Sequence, residues 1–249
     1  MTRQWTRAAS DCASPSTALK VNWRHLSHRN GGETFHSVHV EAAGRVAAHA
    51  LEASVERLVH LSGIGADPTS QSLYIRKRGE GEFAVRAAFA NSVLIRPAVM
   101  FASDDGFLTI VLNLLRRLPV YPIFGGGTTR LQPVYVEDVA EAIAAILLHP
   151  DAQAQAYEFG GPRVYTYAEF LKSVAHEADL KPILVPVPFT AWHALARIFE
   201  MLPKPAITTN QIELMQIDTV TSPMRPGLTE LGVSPHAVEE ILQQMVSRR

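Results

Sequence analysis

The chain has 249 residues, 47% of them hydrophobic and 19% charged, with a formal net charge of -1. This is an ordinary globular composition: the near-neutral balance gives no field for nucleic acid, and apolar stretches such as Ala142 to Leu148 are far too short to cross a bilayer. Cys12 is the single cysteine, which excludes disulfides and thiolate metal clusters within one chain.

Residues 1–32 are Ser/Thr-rich and basic, with Arg3, Arg7, Lys20, Arg24 and Arg29 against Asp11, and show no sustained periodicity. They are expected to be a poorly ordered or non-native leader, a mitochondrial transit peptide being the alternative. Phe35, Val38, Ala42, Val46 and Ala50 then recur at three and four, which predicts an amphipathic helix. Arg57 to Ile64 reads as a strand, and Tyr74 to Phe89 as a helix broken by Gly79 and Gly81. Ser92 to Phe101 is a strand apolar on both faces, as in a parallel sheet covered by helices on both sides.

Phe107, Ile110, Val111, Leu114, Leu115 and Leu118 mark one face of a third helix. Gly125 to Gly127 predict a flexible loop beside a cleft. They lack the Lys-Ser/Thr of a phosphate loop and lead into a strand, Leu131 to Val136. Arg130 faces that cleft or solvent. A helix from about Asp138 to Leu148 follows, and Thr166 with Glu169 forms a capping box for the next. Trp192, Leu195, Phe199 and Leu202 share a helical face over 190–202, suited to a core, a partner or a membrane surface. Ser234 and Pro235 predict the start of the last helix. The division expected is 33–150, a sheet domain, and 151–249, a helix-rich cap. The pairs His25/His28 and His36/His39 have metal-ligand spacing without a rigid frame, so no metal is expected.

Three segments are specific. Val38-His-Val-Glu-Ala-Ala-Gly-Arg-Val46, Val55 to Pro68 and Gly125-Gly-Gly-Thr-Thr-Arg-Leu-Gln-Pro-Val-Tyr-Val-Glu-Asp-Val-Ala140 resemble the atypical short-chain dehydrogenase/reductase family. The branch is that of the nucleotide-binding accessory subunit of mitochondrial complex I and its bacterial homologues. Tyr157 to Pro162 and Val185 to Pro188 fit its second half. The resemblance implies an α/β fold: a Rossmann-type parallel sheet with helices on both faces, incomplete here, and a small helix-rich C-terminal cap. It also implies binding of NADP or NAD, with a role in a membrane respiratory complex or quinone-linked assembly rather than demonstrated turnover. The location would be the bacterial cytoplasm, inner-membrane-associated, or the mitochondrial matrix.

In active members of the wider family a serine and a tyrosine hold the substrate oxygen, and a lysine four residues after the tyrosine lowers its pKa. The resemblance places Ser62 and Tyr74 in those roles, with Arg78 at the lysine position and Lys77 one residue early. It adds Pro97, Ala98 and Val99 to the cofactor side. Phenol titrates near 10, so proton transfer at neutrality needs a fixed cation beside it. Arginine's planar fork replaces a point ammonium poorly, and Lys77 lies about 100° around the helix from Arg78. A tyrosine packed at a helix start beside two solvated cations fits the same residues, so catalysis stays open.

A Rossmann domain opens with a Gly-x-Gly-x-x-Gly turn that offers the pyrophosphate a helix N-terminus. Nothing of that kind precedes Phe35, as a frameshift or late start would produce. Weakened nucleotide binding is therefore expected. So is an exposed edge on the strand ending at Ser62, prone to self-association with Val59 in the contact. An active NAD(P)-dependent reductase or epimerase, and a truncated product without autonomous function, remain as alternatives.

Overall fold

The computed structural model describes residues 20–22, 34–103, 106–148, 156–202 and 207–247. The leader apart from 20–22, with Cys12, His25 and His28, lies outside them.

A parallel sheet of four strands is ordered β1–β2–β3–β8, from β1 (Lys20–Asn22), β2 (Leu58–Leu61), β3 (Val93–Pro97) and β8 (Ala156–Phe159). The presence of β1 corrects two expectations. Residues 20–22 belong to the sheet, and β2 is not its edge, because Lys20, Val21 and Asn22 pair with Leu58, Val59 and His60. Val59, expected at an exposed contact, is fully buried.

Side chains alternate across the sheet, as the period of two requires. On one face Val59, Val93, Ile95, Tyr157 and Phe159 meet α4 (Val136–Leu148) through Val139, Ala142 and Ile146. On the other, Leu58 packs with Ala43, Ala47 and Ala50 of α1 (Ala43–Glu52) and Val85 of α2 (Leu73–Ala88). The first helix reaches that face by a shifted register. A π-helical segment, Ser37–Ala42, inserts one extra residue, so the buried series is Phe35, Val38, Ala43, Ala47 and Ala50. Ala42 and Val46 are only half-buried.

Gly79 and Gly81 do not break α2, which is continuous; both are buried where neighbouring backbone leaves no room for a Cβ. The apolar run 92–101 is also two strands, since β4 (Met100–Phe101) turns away to pair with β7 (Val134–Tyr135).

The second core joins α3 (Gly106–Arg117), β5 (Val120–Phe124), β6 (Arg130–Leu131), β9 (Tyr165–Thr166), α5 (Tyr167–Glu177), β10 (Ile183–Val187) and α8 (Val238–Ser247); α6 (Phe189–Phe199) meets it through Trp192 on Phe124, whereas α7 (Thr209–Leu214) packs Leu214 with the cluster of Phe35, Tyr74 and Ile75. The buried residues of the second core run from Phe101 to Leu242. β5 pairs with β10 and β3 with β8, so the packing crosses the division expected at residue 150. α3 buries Leu108, Val111, Leu112 and Leu115, one step round from the expected face, leaving Ile110, Leu114 and Leu118 exposed. On α6, Trp192 and Phe199 turn inward with Ala196, while Leu195 and Leu202 point out.

Two caps behave differently. The Thr166–Glu169 box forms as expected, with both reciprocal bonds present. Ser234 and Pro235 precede α8 without opening it; there the buried Asp138 carboxylate takes His236 through its backbone N–H at 2.8 Å and its ring Nδ1 at 2.6 Å. No helix of the described residues is long and apolar enough to cross a membrane.

Candidate functional site at the strand ends

Parallel strands present their C-terminal ends together, and the loops after β2 and β3 meet there. The Ser62 N–H donates to the Ile95 carbonyl at 2.7 Å, and the Ile64 N–H to the Pro97 carbonyl at 3.1 Å. Ala98 donates to Phe159, and the Val99 carbonyl accepts from Val134. Ser62 and Pro97 to Val99 are thus neighbours across two strands, with these backbone groups held within the sheet.

α2 covers this region with Tyr74, Arg78 and Glu82, spaced four apart and therefore on one helix face. Tyr74 is 3% exposed, its ring edge-on to Phe35 at 5.6 Å and to His39 at 5.5 Å. Burial pushes its phenol pKa up, and the Arg78 charge only partly opposes this. The Arg78 guanidinium lies 5.3 Å from the Tyr74 ring centroid, donates to the Ser62 carbonyl, and occupies the space a side chain at Gly63 would need. Lys77 points elsewhere, pairing with Glu80 at 2.6 Å. The structure therefore gathers Ser62, Tyr74, Arg78 and Pro97 to Val99 and leaves Lys77 out. The Ser62 hydroxyl is buried with no partner among the described residues.

Behind them lies a polar layer that was not singled out from the sequence. Glu82 accepts from Arg96 Nε at 2.9 Å and Nη2 at 2.6 Å, and Glu158 stands 3.8 Å from Arg96 on the far side. The Glu158 carboxylate also accepts the Ser222 N–H. The bond to Glu82 raises the Arg96 pKa further. His60, two residues before Ser62 on the same face, has its pKa pushed down to about 4, chiefly by burial, with Glu82 pulling up and Arg78 pushing down. The available signal was positional: His60, Arg96 and Glu158 alternate with core residues, and Glu82 repeats the Tyr74–Arg78 spacing.

The His60 pKa carries a pH dependence. Its folded value lies below the ordinary 6.5, so as pH falls the unfolded chain takes up the proton first. The stability it contributes is complete above about pH 6.5 and is lost as pH falls through the folded value near 4. Urea melts of the wild type are expected to weaken steeply across that window and those of His60→Leu less so. Equal slopes would show that His60 is not held neutral.

Three other candidates fall outside this cluster. Gly125 and Gly127 have positive φ, but the loop packs against Phe189 and Ala168 rather than standing free. Arg130 is held by Asp218, through its backbone N–H and its Nε, each at 2.8 Å. His36 lies 3.5 Å from Glu41, while the His39 ring is buried against Phe35 and Tyr74.

A parallel sheet layered between helices, with a serine at one strand end facing a Tyr-x-x-x-Arg helix, is an α/β arrangement of the Rossmann type. No family model matches the chain. It is 33% identical over 206 residues to mitochondrial NADH dehydrogenase [ubiquinone] 1 alpha subcomplex subunit 9 of Rattus norvegicus, covering 82% of this chain and 55% of the relative. The Arabidopsis thaliana counterpart is 31% identical over 238 residues, at 91% and 59%. A ceramide reductase of Caulobacter vibrioides is 30% identical over 156 residues, at 63% and 49%. The chain is thus a homologue of the complex I accessory subunit, consistent with the atypical short-chain dehydrogenase/reductase branch. It spans a little over half the length of those subunits.

Among solved structures, a nucleoside-diphosphate-sugar epimerase of Staphylococcus aureus superposes with a TM-score of 0.64 at 15% identity, covering 87% of this chain and 75% of that one. A Thermus thermophilus UDP-glucose 4-epimerase in complex with NAD gives 0.59 at 21%, covering 84% and 69%. At such identities these show the fold alone.

Proposed function

We propose that this chain acts by binding rather than by turnover, as an accessory component of a respiratory-chain or quinone-linked assembly, and that it binds NADP or NAD weakly. One observation carries the reading. Tyr74 is packed among rings, and its neighbouring cation is a guanidinium committed to the Ser62 carbonyl, while Lys77 is drawn to Glu80. Burial raises the phenol's pKa and the Arg78 charge only partly opposes it, so the phenol is a weak proton donor at neutrality.

The relatives named as NADH dehydrogenase subunits support the assembly role, and their mitochondrial location supports the matrix side of an inner membrane. In a bacterium the corresponding place is the cytoplasmic side. The solved neighbour holding NAD supports a nucleotide at these strand ends. The proposed weak affinity is supported by the given sequence, in which no Gly-x-Gly-x-x-Gly pattern occurs.

The Ser62 hydroxyl, without a partner among the described residues and beside Arg78, favours a second reading, an NAD(P)-dependent reductase or epimerase using Tyr74. Calorimetric titration with NADPH and NADH, followed by turnover over a carbonyl panel, separates the two. Affinity weaker than micromolar and turnover at background are expected. Turnover that disappears in Tyr74→Phe would replace the first reading with the second, and micromolar or tighter binding would remove the claim of weak affinity.

A further inference from the structure

Overall neutrality hides a local imbalance at the end of the second core remote from α2 in sequence. α3 ends in Arg116 and Arg117, and the chain passes through Leu118 and Pro119 directly into β5. The Ile183 N–H donates to the Pro119 carbonyl, and Ile183 pairs with Val120, which brings Lys181 to the same end. A hollow of about 250 Å3 opens beside it, lined by Lys172, Lys181 and Pro182, with Asp179 as an opposing charge. Between the cations lies aliphatic surface: Leu118 is 37% exposed, Val120 47% and Ile183 63%. Ile110 and Leu114 continue it along α3, four residues apart on one face with Leu118.

From this we infer that the end of the molecule formed by α3, β5 and β10 seats on a phospholipid bilayer carrying anionic headgroups. The two parts of the surface match the two parts of a bilayer interface. Short aliphatic side chains enter the boundary between headgroups and acyl chains, and Arg and Lys stems lie along them with their charges at the phosphates. Arg116, Arg117, Lys172 and Lys181 supply that charge, against Asp179. A protein partner would be anchored by aromatic side chains in pockets; here the exposed apolar residues are aliphatic. The inference does not rest on the nucleotide site, because vesicle binding is read without any ligand.

The experiment is flotation of the full chain with vesicles of phosphatidylcholine alone or mixed with phosphatidylglycerol. Binding to the anionic vesicles is expected, falling roughly fivefold for each cation removed in Arg117→Gln and Lys181→Gln. Val120→Ser with Ile183→Ser is expected to weaken it further at high salt, where the charges are screened. Both apolar positions are exposed, and melting curves establish that each variant is folded. Absence of binding, equal binding to both vesicle types, or undiminished binding by the folded charge variants would each overturn the assignment.

Discussion

Replacing Arg96 with methionine is expected to lower the stability of the chain by about 4 kcal/mol, among the largest effects available from one side chain. The guanidinium holds Glu82 with two hydrogen bonds and faces Glu158 on its other side, and both carboxylates are less than a tenth exposed. Removing the cation leaves two negative charges desolvated on neighbouring elements, which costs more than the pair itself contributed. The same argument makes the loss partly reversible. Adding Glu82→Gln to Arg96→Met removes one stranded charge and should recover a substantial share. Chemical denaturation of the three variants reads this directly. A single-variant loss under about 1 kcal/mol would show that water reaches the layer and that the ion pair behaves as a surface one.

The second large effect runs against intrinsic propensity. In an exposed helix, Gly→Ala gains up to about 1 kcal/mol. At Gly81 the same change is expected to cost about 3 kcal/mol, because a Cβ there would overlap the carbonyl oxygen of His39 in the π-helical segment. The obstacle is backbone, so no rotamer change relieves it. Gly44, in α1, is the internal control: its Cβ would meet the Ala84 methyl at 3.4 Å and the Ala84 carbonyl oxygen at 3.9 Å, both ordinary contacts. Gly44→Ala should therefore be neutral or stabilising in thermal melts, and equal behaviour of the two variants would contradict the close approach of α2 to residues 37–42.

These glycines also show how far the sequence could be read. Elements with long apolar periodicity were legible: α2, α4, α5 and the central strands lie where the pattern puts them, and the parallel pairing of β2 with β3 follows from their two-faced burial. Register was not. A π turn adds one residue at Ser37–Ala42, and the apolar positions of α3 fit two overlapping faces, because seven of its residues are aliphatic or aromatic and only packing chooses between them. Gly79 and Gly81 look like breaks because propensity is a local property, whereas their role is set by a neighbouring backbone. At the candidate site, Ser62, Tyr74 and Arg78 were visible through the resemblance. Their polar support was not, because a lone Arg96 or Glu158 inside an apolar strand does not reveal its partner. β1 was missed for a similar reason. Three residues, one of them the charged Lys20, carry no periodicity, and only pairing with β2 makes them a strand.

The pairing of β3 with β8 has a consequence for how the molecule comes into being. Leu94 finds Ala156 only after the chain has run through residues 98–155, which contribute α3, β5 and much of the second core. β2 and β3, by contrast, are joined by a short crossover through α2. During synthesis from the N-terminus, the open side of β3 waits for its partner until residue 159 has emerged. The closure entropy grows only slowly with that length, but the contact itself arrives late. Through that interval Arg96 is without Glu158, and the polar layer beneath α2 is finished by a strand from the far side of the excursion. The strand ends that form the candidate cleft are thus completed only after the excursion through residues 98–155, and the integrity of the cleft reports on the chain as far as β8 rather than on the β2–α2–β3 unit alone.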